Sequence, residues 1–150
     1  MKKSILVWVL SLTLGVTSTY ASTDEGTNVR AENSFKKEFA TATNVQWEQT
    51  KDFTKATFTL NDQVMFAYYS QDGDLLAVTR NILSSQLPIN LLADLKKNYN
   101  SYWITDLFEM ATDQATSYYV SIESADYTVV LKSDGANGWQ VFKKERKNLA

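Results

Sequence analysis

The sequence predicts an α+β fold: a tandem repeat of one helix and a four-stranded antiparallel meander, with the helices packed on one face of a curved sheet. In two segments apolar residues recur four apart, as on one face of an amphipathic helix. Elsewhere they alternate with polar residues, as in antiparallel sheets with one solvated face. The same order of helix, strands and Asp-Gly turn occurs twice, about sixty residues apart, which indicates a repeat.

The N-terminal segment has the three parts of a secretory signal peptide, which we assign to residues 1–21. Lys2 and Lys3 precede an apolar run over 5–16, and small polar residues follow as far as Ala21. The run is shorter than the roughly 20 apolar residues of a membrane helix, which favours cleavage over retention as an anchor. We therefore expect an exported protein, periplasmic or extracellular, that has no membrane attachment after cleavage and begins with a flexible lead-in at 22–28.

The first half, residues 29–82, is predicted to contain a helix and four strands. Phe35 and Phe39 lie four residues apart, which favours a helix over 29–40. Strands are expected at about 45–48, 56–60, 64–69 and 75–80, with turns at Asn61-Asp62 and Asp72-Gly73. In the third strand we assign one column of side chains to the core, Val64, Phe66 and Tyr68, and the other to the open face, Met65, Ala67 and Tyr69.

The second half, residues 86–143, repeats this pattern. A helix that opens at Leu87-Pro88 places Leu91, Leu95 and Tyr99 on one face, and strands are expected at about 103–110, 117–123, 127–132 and 138–143. Alternation assigns Tyr118, Val120 and Ile122 to the core, and Tyr119, Ser121 and Glu123 to the open face. We interpret residues 29–143 as one domain of two similar halves, and residues 144–150 as a solvated basic tail.

Cysteine and histidine are both absent from the 150 residues. Their absence excludes Ser-His-Asp triads, Cys-His pairs and zinc sites built from the usual ligands. The formal net charge is −2, which gives no reason to expect nucleic acid as a partner. We therefore predict no catalytic activity, no cofactor, no metal and no nucleic acid, and leave the oligomeric state open.

One segment of the chain resembles a known family: Phe35-Lys-Lys-Glu-Phe39-Ala-Thr-Ala42-Thr-Asn44-Val45-Gln-Trp47-Glu48. It is similar to the start of the PepSY-like, β-lactamase-inhibitor-protein-like (BLIP-like) exported domains, which typically read Phe-x-x-x-Phe-Pro-x-Ala-x-x-Val-x-Trp. This chain departs from the pattern in having Ala40 at the proline position. The likeness continues through Ala67-Tyr68, Asp72-Gly73 and Leu87-Pro88 and covers about 29–143. It implies a helix on a curved antiparallel sheet, repeated in tandem, whose concave face can engage and inhibit a protein.

The open face of the sheet is the predicted partner-binding surface. Tyrosines, small hydroxyls and scattered charges supply contact area and hydrogen bonds at low entropic cost. The residues assigned to this surface are Tyr69, Met65, Glu48, Thr57, Thr59, Tyr119, Ser121 and Glu123. An ordinary solvated sheet face is the alternative interpretation of the same residues.

These features favour an exported, non-catalytic binding or inhibitory module that engages a protein or peptide. Two alternatives stay open. One is a small carboxylate-dependent enzyme, which requires two of Glu48, Asp106 and Glu109 to converge across a cleft. The other is a passive envelope-stress or assembly component.

Overall fold

The computed structural model describes residues 27–148, so the predicted signal peptide and most of the predicted lead-in lie outside the described residues. Its elements run in the order helix, four strands, helix, four strands. They are α1 (Val29–Glu38), β1 (Thr43–Gln49), β2 (Thr54–Leu60), β3 (Gln63–Tyr69), β4 (Leu75–Asn81), a 3₁₀ turn (Ser84–Gln86), α2 (Ile89–Asn98), β5 (Trp103–Ala111), β6 (Thr116–Glu123), β7 (Tyr127–Ser133) and β8 (Gln140–Arg146).

All eight strands form one antiparallel sheet in which each strand pairs with its neighbours in sequence. The α+β class and the meander order of the strands agree with the sequence prediction. The expected basic tail does not begin at residue 144, because β8 continues to Arg146, which pairs with Tyr127 of β7. Within residues 27–148 no helix is long and apolar enough to cross a membrane.

Helix α1 begins and ends where local hydrogen bonds define it. The side-chain oxygen of Asn28 accepts hydrogen bonds from the backbone N–H groups of Arg30 and Ala31, at 3.1 and 3.3 Å. A residue of this type at the N-cap satisfies helix donors that have no partner within the helix. The helix ends at Glu38, two residues before the predicted end, and Phe39 is its C-cap. Asn28 is therefore a structural residue of the domain, although we expected it in the lead-in.

Both helices pack on the same face of the sheet. Ala31 and Phe35 of α1 are buried against Phe58, whose ring lies 4.9 Å from that of Phe35 in an edge-to-face arrangement. Leu91 and Leu95 of α2 are buried in a separate cluster, with Val120 and Leu131 of the sheet. The pairing of β4 with β5 places these two clusters on one side of the sheet. The opposite side, which we call the helix-free face, carries neither helix.

Each helix also contacts the last hairpin turn of the strands that follow it. Ser34 of α1 donates a hydrogen bond to the carbonyl oxygen of Gly73, at 2.7 Å. Asn90 of α2 donates one to the carbonyl oxygen of Gly135, at 2.8 Å. The indole N–H of Trp139 donates to the carbonyl oxygen of Leu91, at 2.9 Å. These bonds fix both helices along the same face of the sheet.

Candidate functional site on the helix-free face

The helix-free face carries an apolar cluster of its own. Its members are almost fully buried: Phe53, Tyr68, Ala77, Phe108, Met110, Tyr119 and Val130. Side chains on a flat, uncovered sheet face would keep much of their surface in water. Bulges interrupt the pairing of β1 with β2, β3 with β4, β5 with β6 and β7 with β8, and bulges bend strands. These side chains therefore bury one another on a face that carries no helix.

Tyr119 lies on the helix-free face, as predicted, but it is not available to a partner. Its ring is stacked on that of Phe108, contacts the edge of Phe142 and lies under the ammonium group of Lys132. Only 1% of the residue is exposed, and its hydroxyl has no hydrogen-bond partner among the described residues. Burial raises the pKa of Tyr119 to about 12. Tyr119 is part of the buried floor of the helix-free face.

The assignment of Met65 and Tyr69 to the open face is wrong. Both belong to the cluster under α1, where Tyr69 is fully buried and its ring centroid lies 6.3 Å from that of Trp47. The physical reason is the two-residue β2–β3 turn, Asn61-Asp62, which pairs Phe58 with Met65 and Thr54 with Tyr69. Directly paired residues share a sheet face, and Phe58 faces the helix. The core column of β3 is thus the one that we expected to be open, and Phe66 and Tyr68 lie on the helix-free face.

A pocket of about 350 Å³ opens on the helix-free face between β2 and β5. Its aromatic walls are Phe66, Tyr68 and Phe108. Its polar groups come from the neighbouring strands: Lys55, Thr79, Asn81, Thr105 and Asp106. A cavity that combines aromatic walls with convergent polar groups can serve as a binding site, and in this one the polar groups make up the larger part of the lining.

The two charged groups that line this sheet-face pocket differ in whether a group of opposite charge lies close to them. The ammonium group of Lys55 lies 3.8 Å from a carboxylate oxygen of Glu48 and 5.1 Å from the centre of the Phe66 ring. Its charge is therefore compensated within the domain. Asp106 is partly buried, and burial raises the pKa of its carboxyl group, although a hydrogen bond from the Leu107 backbone acts in the opposite direction.

The other residues predicted for the site are dispersed. Thr57 and Thr59 lie on the helix-free face of β2, opposite Phe66 and Val64, and are partly exposed. Ser121 is buried opposite Asp106. Glu123 accepts a hydrogen bond from Lys147 at 2.7 Å, beside the exposed ring of Trp103. Glu48 is exposed at the margin of the pocket and contacts it through Lys55.

The three carboxylates considered for an enzyme do not all converge. Glu109 lies on the helix-bearing face, where it accepts a hydrogen bond from Arg80 at 3.0 Å. Glu48 and Asp106 share the helix-free face, but Glu48 lies on strand β1 and Asp106 on β5. Within residues 27–148 no group of three or more acidic side chains is arranged to hold a metal ion. Of these three carboxylates, only Asp106 lines the sheet-face pocket.

Sequence reasoning missed Phe66, Tyr68, Phe108 and Asn81 as residues of the site. Both columns of β3 are apolar, so alternation could not distinguish its two faces. The informative signal was the clear alternation of apolar and polar residues in β2. Because a two-residue turn fixes the pairing of β2 with β3, this alternation also identifies the core face of β3. Phe108 and Tyr119 are buried by side chains from neighbouring strands, and no local sequence pattern predicts this burial.

A second cavity, about 210 Å³, lies on the other side of the sheet beside the C-terminal half of α2. Its walls are mostly apolar and include Leu92, Leu95, Tyr99 and Ile104. No ionisable group other than Lys96 and the two tyrosines Tyr99 and Tyr102 lines it. It offers less polar recognition than the sheet-face pocket.

The fold defines a class of protein: a small α+β domain with two helices on one face of an eight-stranded antiparallel meander. Solved structures share it. A DUF2874 family protein from Bacteroides ovatus has a TM-score of 0.71 at 12% identity, over 81% of this chain and 89% of its own. A BLIP-like protein from Bacteroides fragilis has 0.69 at 17%, over 83% and 87%. A protein from Bacteroides eggerthii, provisionally described as periplasmic, has 0.68 at 11%, over 78% and 86%.

These comparisons establish the fold. The BLIP-like part of the predicted resemblance is supported at that level, whereas the PepSY-like part stays a prediction. No protein-family model matches the sequence, and no curated protein matches it. None of the three descriptions names an enzymatic activity.

Proposed function

We propose that this protein is an exported, non-catalytic binding module that engages a protein or peptide through the helix-free face. The observation that carries the proposal is the sheet-face pocket, an open cavity with aromatic walls and polar groups on a face without a helix. A cavity of this kind can receive a protruding segment of a partner. Inhibition of the partner would follow if that segment belonged to its own active site.

Export is part of the same proposal. The segment 1–21 has the composition of a signal peptide, and one structural neighbour is provisionally described as periplasmic. A domain without cysteine needs no oxidising compartment for its stability, and the clusters on both faces of the sheet supply the core instead.

The repeat belongs to the proposal as well. Equivalent helix positions, Ala31 with Leu91 and Phe35 with Leu95, are buried in the same spacing. The glycine of each Asp-Gly turn accepts a hydrogen bond at its carbonyl oxygen from the helix that precedes it, Gly73 from Ser34 in the first half and Gly135 from Asn90 in the second. These correspondences favour two copies of one helix-and-meander unit joined through β4 and β5.

The absence of cysteine makes a direct test of the binding face practical, since any introduced cysteine is unique. Thr57→Cys and Asn81→Cys place a thiol on the helix-free face, and Lys37→Cys and Lys97→Cys place one on the exposed sides of the helices. Each variant would be labelled with a photoreactive maleimide and irradiated in envelope extract. Mass spectrometry would then identify the cross-linked proteins.

We expect one partner to be cross-linked from positions 57 and 81 and not from positions 37 and 97. Equal cross-linking from all four positions, or cross-linking from the helices alone, would overturn the assignment of the face. The matched helix positions control for non-specific capture, because they carry the same label on equally folded protein.

A further inference from the structure

The carboxylates on the strands differ in how their charge is compensated. Five acidic side chains lie on strands within residues 27–148, and four of them have a basic partner within 4.0 Å. These pairs are Glu48 with Lys55, Glu109 with Arg80, Glu123 with Lys147 and Glu145 with Lys143. Asp106 is the exception among the described residues. It lies in the sheet-face pocket, where it is less exposed than Glu48 or Glu145.

A partly buried carboxylate without an ion pair destabilises the folded protein in its charged form. Burial penalises its charged form, and the raised pKa of Asp106 has this cause. A cation that entered the pocket would restore the lost charge compensation. Lys55, which also lines the pocket, does not supply it, because its ammonium group is held between Glu48 and the Phe66 ring.

The wall next to Asp106 suits a flat cation. Phe108 is stacked on Tyr119 and only 4% exposed, so it belongs to the floor of the pocket, whereas the Phe66 ring is partly exposed at its wall. Asn81, the cross-strand partner of Phe108 on β4, is exposed at the pocket. Guanidinium groups stack on aromatic faces and bind carboxylates through two parallel hydrogen bonds, whereas ammonium groups lack this planar geometry.

We propose that the sheet-face pocket receives an arginine side chain of the bound protein, with Asp106 as its counter-ion and the partly exposed Phe66 ring as an apolar wall. The inference rests on the proposed function, because it names the side chain that the partner presents to the helix-free face. The volume of about 350 Å³ is sufficient for one long side chain and too small for a folded element.

The test uses blocked single amino acids as probes. Nitrogen-15-labelled protein lacking residues 1–21 would be titrated with N-acetyl-arginine methylamide and followed by two-dimensional NMR. N-acetyl-citrulline methylamide, which has a similar shape without the charge, and the corresponding lysine derivative serve as controls. We expect saturable shifts of the backbone amides of Asn81, Thr105 and Leu107 with arginine, weaker shifts with lysine and none with citrulline.

Three variants make the result specific. Asp106→Asn keeps the shape of the side chain and should weaken arginine binding about tenfold, as for the loss of one charge-assisted pair. Glu145→Gln removes a paired carboxylate from β8 and should leave binding unchanged. Asn81→Arg introduces a guanidinium group of the protein itself at the pocket. We expect this group to pair with Asp106, which is unchanged in this variant, and to block binding of the arginine probe.

Equal shifts with arginine and citrulline, or binding that survives both Asp106→Asn and Asn81→Arg, would overturn the inference. So would the absence of any shift at the pocket up to the solubility limit of the arginine probe. Cross-linking from positions 57 and 81 together with a failed titration would remove the arginine subsite and leave the binding face intact. Failure of the cross-linking would count against the face itself.

Discussion

The ring of Tyr119 lies parallel to that of Phe108, with 5.1 Å between the ring centroids, on the face of the sheet that carries no helix. This pair shows how the domain buries large side chains without a covering layer. Phe142 and Lys132 pack against the remaining surface of Tyr119. The floor of the proposed binding face is consequently core, and a partner would contact residues at its margin and in the sheet-face pocket.

Removal of the Tyr119 hydroxyl should not destabilise the protein. The oxygen is buried without a hydrogen-bond partner among the described residues, so Tyr119→Phe removes a polar group that folding has taken out of water. We expect the free energy of unfolding to stay unchanged or rise by up to about 1 kcal/mol. Tyr68→Phe is the matched control, because the Tyr68 hydroxyl lines the sheet-face pocket and is not among the buried groups without a partner, so its removal should not stabilise the protein. Urea denaturation would measure both, and a larger loss for Tyr119→Phe than for Tyr68→Phe would contradict the prediction.

Stability should fall at alkaline pH. Burial raises the pKa of Tyr119 from 10.0 to about 12, so the folded protein holds a proton that the unfolded chain releases at lower pH. This contribution to stability is complete below the unfolded value of 10.0 and is lost as the pH rises toward 12. Burial also raises the pKa values of Tyr68 and Tyr69 above 10.0, so these two residues contribute to the same loss of stability at alkaline pH.

The check is the urea midpoint measured between about pH 9 and 12, where tyrosines titrate. We expect a smaller decrease for Tyr119→Phe than for the natural sequence, and a still smaller one after Tyr69→Phe is added. Equal slopes for all three proteins would show that these hydroxyls do not control the alkaline transition.

Of the glycines in the two Asp-Gly turns, Gly73 should lose more stability on replacement by alanine than Gly135. Its φ angle is +88° and that of Gly135 is +91°, so alanine strains the backbone at both positions. A Cβ atom at position 73 would also lie 2.6 Å from Cβ and 2.8 Å from the backbone carbonyl carbon of Arg30, whereas at position 135 it meets only the Tyr118 ring, at 3.3 Å. We expect Gly135→Ala to cost about 1 kcal/mol, and Gly73→Ala to cost about 2 kcal/mol more because α1 must shift. Thermal unfolding would compare them, and equal losses would refute the close approach of α1.

The sequence was sufficient to predict the order of the helices and strands, but it was insufficient to predict which residues lie on the helix-free face. Strong alternation in β2, with Ala56 and Phe58 against Lys55 and Thr57, identified its core face correctly. In β3 both columns are apolar, so local alternation assigned Tyr69 to the wrong face. Asp106 of β5 and Phe66 of β3 line one pocket because of contacts across two strand pairs, β3 with β4 and β4 with β5, and no local pattern specifies such an arrangement.

Arg80 should couple the two halves of the sheet. Its guanidinium group donates hydrogen bonds to Gln63 of β3, at 3.2 Å, and to Glu109 of β5, at 3.0 Å, on the helix-bearing face. The side chains of Arg80 and Glu109 are only 37% and 22% exposed, so water screens their attraction incompletely. A double-mutant cycle with Arg80→Met and Glu109→Gln should give a coupling free energy of about 1 kcal/mol.

The Arg30–Asp72 pair is the matched control for this cycle. Its nitrogen–oxygen distance is similar, 3.2 Å, but its side chains are 72% and 81% exposed. A cycle with Arg30→Met and Asp72→Asn should therefore give a coupling close to zero, because exposed pairs are screened and lose side-chain entropy. If both cycles gave the same coupling, Arg80 would be an ordinary surface charge and the junction of β4 with β5 would depend on backbone pairing alone. A larger coupling at Arg80 would instead show that the polar contacts across this junction help to hold the two halves together, and with them the walls of the sheet-face pocket that β3, β4 and β5 supply.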